Sequence, residues 1–155
     1  MNQTVPDCSL DGRPIPLDRL PLLTSDEISR VVGQQQPGSV LEDARHYRWS
    51  YQKLFLEELR ESTCDGDEPE GGWKAMYVRQ KQSDEAAVRS GSPEYAGRQQ
   101  WCEKWASASG MYPLFVVKED DRYYLWDGHH RLASAFWHEV PYVWAFVGIP
   151  LQGLN

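Results

Sequence analysis

The chain has 155 residues, 41% of them hydrophobic, seven tryptophans among them, and a formal net charge of −7. That length and apolar content suit one domain with a real core, and the acidic balance excludes a general nucleic-acid coat, which needs a basic face. Cys8, Cys64 and Cys102 are odd in number and irregularly spaced, which fits neither a disulfide framework nor a zinc site and suits reduced thiols in a cytoplasm.

In chain order, residues 1–12 are polar and predict a loose arm. Asp7 and Asp11, with no long apolar run, argue against a signal peptide, and no later stretch has the apolar length of a membrane span. Ile15–Leu20 predicts a strand, placed at an edge by Pro14 and Pro16. Thr24-Ser25-Asp26-Glu27 matches a capping box, with Thr24 as N-cap and Glu27 at N3. The helix it opens carries Ile28, Val31 and Val32 and is expected to stop at Gly33, before a Gln34–Gly38 loop. From Ser39 to about Ser62 the spacing of Tyr47, Tyr51, Leu54, Phe55 and Leu59 predicts a long helix.

Cys64–Gly72 is a loop crowded with Asp65, Asp67, Glu68 and Glu70. Such a run is usually a solvated surface, and it lacks the alternation and closing Glu of a calcium loop. Ala75–Val78 predicts a short strand and Ser83–Val88 a helical turn. Ser92-Pro93-Glu94 opens a helix that sets Trp101 and Trp105 on one face.

Tyr123–Trp126 is an apolar strand broken by Asp127-Gly128. From Arg131 onward, Leu132, Ala133 and Phe136 fall at helical spacing. Strand, tight turn and helix therefore place His129, His130 and Arg131 in a first helical turn. The N–H groups there lack intrahelical partners and the dipole is positive. Gly128 permits close approach to the backbone. A phosphate is the natural guest, and Arg131 offers a planar fork of charged donors. Arg131 at a helix start conflicts with the dipole unless it meets an anion or a carboxylate such as Asp127. Asp127 itself suits a general base, a magnesium ligand or a plain helix cap.

Asp127-Gly128-His129-His130-Arg131-Leu132-Ala133-Ser134-Ala135 resembles the phosphate-binding turn of the ParB/sulfiredoxin-like superfamily. The resemblance covers about residues 104–147, from the helix end at Ser109-Gly110 through Leu114–Val117, the Lys118–Asp121 hairpin and the final strand Val140–Val147. Ile15–Leu20 is similar to the opening strand of such domains. The resemblance implies an α+β fold, a small mixed sheet flanked by helices, in one domain over 1–155 with an unaligned helical insertion at about 35–100. It implies that the turn, Asp127–Arg131, ends a central strand.

His129 stands where sulfiredoxins place their catalytic cysteine, so their peroxiredoxin-repair reaction is not expected. His130 and Arg131 match the following His-Arg that meets nucleotide phosphates. Partition-type members bind CTP at the equivalent turn, and no DNA-reading helix-turn-helix is expected after the motif. The Asp-Gly-His turn looks closest to members resembling free serine kinases, where the aspartate helps activate a hydroxyl and the histidine meets phosphate. Their second acid follows the first strand; Asp26 and Glu27 are the nearest candidates.

The resemblance thus implies ATP or another nucleotide with Mg²⁺. Catalytic roles would fall to Asp127 and His129, and nucleotide contacts to Gly128, His129, His130 and Arg131, with Asp127 as metal ligand. The expected reaction is phosphoryl transfer to a small hydroxyl-bearing acceptor, or NTP hydrolysis. Two alternatives stand beside it: a ParB-like nuclease, which the charge disfavours, and a non-enzymatic nucleotide-sensing module with a protein partner.

Overall fold

A computed structural model describes residues 4–10, 13–35, 46–63, 65–110 and 112–151. In chain order they form β1 (Thr4–Leu10), β2 (Arg13–Pro16), α1 (Ser25–Gln35), β3 (Tyr47–Phe55), α2 (Trp73–Arg89), α3 (Glu94–Trp105), β4 (Leu114–Glu119), β5 (Arg122–Asp127), α4 (His129–Trp137) and β6 (Tyr142–Pro150). Short 3-10 turns lie at Leu17–Leu22, Leu56–Leu59 and Ala106–Ala108. The protein is α+β, with a four-stranded mixed sheet in the order β3-β6-β4-β5 and a separate β1-β2 ribbon.

Alternation sorts the sheet's side chains onto two faces. Leu54, Leu114, Val116, Leu125, Val143, Ala145 and Val147 join Trp73, Tyr77, Trp105, Leu132, Ala133 and Ala135 from α2, α3 and α4. Trp49, Phe115, Val117 and Phe146 face the other way, onto Ile15, Leu20, Ile28 and Val31 of β2, the first 3-10 turn and α1. The sheet is therefore covered on both sides, three helices on one face and the ribbon with α1 on the other. No helix of the described residues is long and apolar enough to cross a membrane.

The strand–turn–helix, the β4–β5 hairpin and the final strand form where expected. Asp120 and Asp121 take φ of 51° and 61°, the left-handed pair that a tight hairpin turn requires. The Thr24 box closes as predicted: Glu27 N–H donates to Thr24 Oγ1 and Thr24 N–H donates to Glu27 Oε1, each at 3.2 Å. The helix it opens runs past Gly33 to Gln35. The rest of the predicted loop, Gln36–Gly38, lies outside the described residues.

Five further expectations need correction. The predicted helix from Ser39 lies outside the described residues up to 45; from Tyr47 to Phe55 the chain is instead β3, paired antiparallel with β6 along its whole length. Tyr47, Trp49 and Tyr51 alternate onto one face and satisfy a strand as well as Tyr47, Tyr51 and Leu54 satisfy a helix, and pairing with β6 decides. Ala75–Val78 lies in α2, because Trp73, Met76 and Tyr77 pack at helical spacing on the sheet. Thr4–Leu10 is a strand paired to β2 rather than a loose arm. Of Ile15–Leu20, only Ile15 and Pro16 are strand, and a 3-10 turn begins at Leu17.

The fifth concerns the motif strand. β5 is an edge strand, not a central one. Its outer side is closed by a loop: Leu125 N–H donates to the Ser62 carbonyl at 2.8 Å. Gly66 (φ 79°) lies so close to Tyr124 that a Cβ there would stand 2.8 Å from the ring. The acidic segment after β3 thus covers an edge that would otherwise invite pairing.

Candidate functional site

The turn is built by the end of β5. Register against β4 shifts between Val116↔Leu125 and Phe115↔Asp127, which leaves Trp126 as the extra residue. A bulge of this kind re-aims the side chain that follows it. Gly128 then takes φ 112° and ψ 26° and serves as N-cap of α4. A Cβ at Gly128 would stand 2.4 Å from Leu114 Cδ2 and 3.1 Å from Arg131 Nη2. Conformation and space therefore both demand glycine.

Helix α4 holds the turn rigidly. Leu132, Ala133, Ser134 and Ala135 are all buried, and each fully buried Leu-sized side chain contributes about 1.5–3 kcal/mol. Phe136 stacks on Trp73 and Trp137 on Tyr77. The Ser134 hydroxyl is buried and has no hydrogen-bond partner among the described residues.

The N-terminus of α4 carries no side-chain cap, which removes the cap reading of Asp127. The first helical bond runs from Leu132 N–H to the Gly128 carbonyl at 2.8 Å. The N–H groups of His129, His130 and Arg131 therefore precede the intrahelical ladder.

Arg131 folds back alongside the turn. Its Nη1 donates to the Tyr112 carbonyl at 3.0 Å, its Nη2 lies 3.5 Å from Asp127 Oδ2, and its guanidinium sits 5.4 Å from the Trp105 ring centre. The side chain of Arg131 is 16% exposed and that of Asp127 51%. The carboxylate thus meets solvent while the guanidinium is held by the protein.

The two histidines are half-buried and part company. Burial pushes both imidazoles below their usual value. At His129 the Asp127 charge opposes that shift. At His130 the Arg98 charge adds to it and Asp84 opposes it. His130 lines a small cavity with Tyr77, Gln80, Asp84, Gln99 and Cys102, of about 20 Å³ and so large enough for one water molecule. Asp84 is buried and pairs with Arg98 from α3. Burial also raises the Cys102 thiol above its usual value, although Arg131 opposes it, which disfavours the reactive thiolate form.

Of the predicted residues, the structure brings Asp127, Gly128, His129 and Arg131 to one turn. His130 supplies its backbone there, while its ring lines the helix interface. Glu27 does not join them: it closes the α1 cap and pairs with Arg19 at 3.2 Å, on the sheet's other face. Tyr112, Leu114, Asp84 and Arg98 belong to the surroundings of the turn and were not foreseen. A backbone carbonyl carries no sequence signal, and Asp84 and Arg98 sit on other helices. Among the described residues no three His, Cys, Asp or Glu side chains cluster to hold a metal ion.

No protein-family model matches the chain, and no curated protein or solved structure is significantly similar to it. What fold and turn define together is an α+β protein whose bulged edge strand opens, through an obligatory glycine, into an uncapped helix.

Proposed function

We propose that the chain is a ParB/sulfiredoxin-like protein that binds a nucleotide di- or triphosphate at Gly128–Arg131 and transfers or hydrolyses a phosphoryl group there. The observation that carries this reading is the uncapped N-terminus of α4 with the Arg131 fork beside it. The N-terminus of α1 is closed by its own Thr24 and Glu27; those of α2 and α3 are uncapped like that of α4, and the Arg131 fork is what sets the α4 turn apart. A phosphate at the α4 turn meets the N–H groups of a first helical turn and a fixed positive charge.

A phosphate that takes the exposed side of Arg131 competes with the 3.5 Å contact to Asp127. Asp127 is then free to accept the proton of an acceptor hydroxyl or a water. That oxygen bonds to the terminal phosphorus, and the bond to the bridging oxygen breaks and leaves the shortened nucleotide. His129, beside Asp127, orients the phosphate. One exposed carboxylate suits Mg²⁺ carried by a nucleotide, since that ion usually takes one or two protein carboxylates besides phosphates and waters. There the ion would neutralise phosphate charge.

Calorimetry with ATP, CTP and GTP, with and without Mg²⁺, tests the binding. Arg131→Ala is expected to weaken it by about 1.5–3 kcal/mol, and Arg131→Lys, which keeps the charge but loses the fork, to recover only part. Asp127→Asn should cut turnover by about 10²–10⁴-fold and leave affinity nearly unchanged. No binding under any of these conditions removes the reading. Binding without turnover above the Asp127→Asn level favours a nucleotide-sensing module, in which exchange of Asp127 for phosphate on Arg131 is the signal passed to a partner protein.

A further inference from the structure

Helix α3 passes beside the α4 turn. Gln99 and Cys102 share the small cavity with the His130 ring, and the Trp105 ring centre lies 5.4 Å from the Arg131 guanidinium. Trp101 falls within this stretch, four residues before Trp105 and on the same side of the helix. Trp105 is fully buried, whereas Trp101 is 36% exposed. The Trp101 indole therefore reaches solvent where α3 runs past the first turn of α4. Tyr112 ties it to that turn. The rings of Tyr112 and Trp101 meet edge to face, with centres 4.5 Å apart. The Tyr112 carbonyl accepts from Trp105 Nε1 at 2.8 Å and from Arg131 Nη1 at 3.0 Å. One residue thus steadies both the guanidinium fork and the exposed ring.

We propose that Trp101 is the platform on which the base of a nucleotide stacks when its phosphates lie at Gly128–Arg131. A nucleotide joins a chain of anionic groups to a flat ring through one sugar. A site for it therefore needs a cationic turn and an aromatic surface side by side. Helix α4 offers the first, with Arg131, and α3 offers the second. Every base has a π-face, so stacking discriminates little among bases. It does separate a nucleotide from a bare polyphosphate or a phosphorylated metabolite without a ring. The platform deepens the reading of the α4 turn and depends on phosphate binding there; the test keeps the two apart.

The experiment is calorimetry on the full chain with two probes, ATP and inorganic tripolyphosphate, each with Mg²⁺. Trp101→Ala should weaken ATP binding by about 5- to 100-fold, as loss of one base–aromatic stack does, and leave tripolyphosphate binding unchanged. Trp101→Phe should recover most of the loss, because a phenyl ring also stacks. ATP should quench the tryptophan fluorescence of the wild type more than that of Trp101→Phe, although that variant still binds. Arg131→Ala should weaken both probes. If circular dichroism shows Trp101→Ala unfolded, the fluorescence of Trp101→Phe carries the test. The proposal is overturned if Trp101→Ala binds ATP like the wild type, or if it loses both probes alike, which makes the ring merely structural; the phosphate site at Arg131 stands in either case. If the wild type binds neither probe, the turn is no phosphate site and the platform falls with it.

Discussion

An alanine methyl at position 128 would press within 2.4 Å of Leu114 Cδ2, on a backbone with φ of 112°. Gly128→Ala should therefore destabilise the protein by about 2–4 kcal/mol, the sum of left-handed strain and overpacking, as read in urea unfolding. Ser134 is the opposite case. Its buried hydroxyl lacks a partner among the described residues, so Ser134→Ala should raise stability by about 1 kcal/mol. The histidines set a pH dependence. Both imidazoles are held below their usual 6.5, mainly by burial. The unfolded chain therefore takes up protons first, and the contribution to stability is complete above pH 6.5 and lost as pH falls toward the folded-state values. Glu27, Glu103 and Glu139, all held below 4.5, act in a lower window. Unfolding free energies measured between pH 7.5 and 5.5 should decline, and His130→Gln should flatten the decline; a flat wild-type profile would contradict this.

At the scale of elements, the loop that covers β5 makes a sharp prediction. Gly66→Ala places a methyl 2.8 Å from the Tyr124 ring at φ of 79° and should dislodge the Ser62 carbonyl from Leu125. Hydrogen exchange at the Leu125 amide should then accelerate well beyond that of Val116 on β4, an inner strand. The motif strand, its glycine and its helix were legible in the sequence because each is locally specified. Tyr123–Trp126 is continuously apolar, Asp-Gly breaks it, and Leu132, Ala133 and Phe136 resume at helical spacing. β3 was not, since its aromatic residues fit both periods and its partner β6 lies at the far end of the chain. The edge position of β5 likewise depends on which strands pair, and neither Tyr123 nor Trp126 encodes that. At the site, Asp127, Gly128 and Arg131 were legible as a unit. The Tyr112 carbonyl that holds Arg131, and the Asp84–Arg98 pair beside His130, were not, because tertiary packing alone assembles them.

For the molecule as a whole, charge is the governing quantity. At −7, the chain neutralises few phosphates of a duplex. Electrophoretic mobility shift at physiological salt should show no duplex DNA binding tighter than about 1 µM; tighter binding with a steep salt slope would restore the nuclease alternative. The pairing of β3 with β6 reaches further still. Residue 47 meets residue 150 and residue 55 meets residue 142, so every rung of that ladder closes over more than half of the 155-residue chain. Such contacts form late, because the loop entropy must be overcome before they contribute. During synthesis, a strand bearing Tyr47, Trp49, Tyr51 and Phe55 therefore leaves the ribosome long before its partner exists. Until β6 emerges, those rings have no sheet to join, and the nascent chain presents an aromatic, adhesive segment suited to chaperone holding.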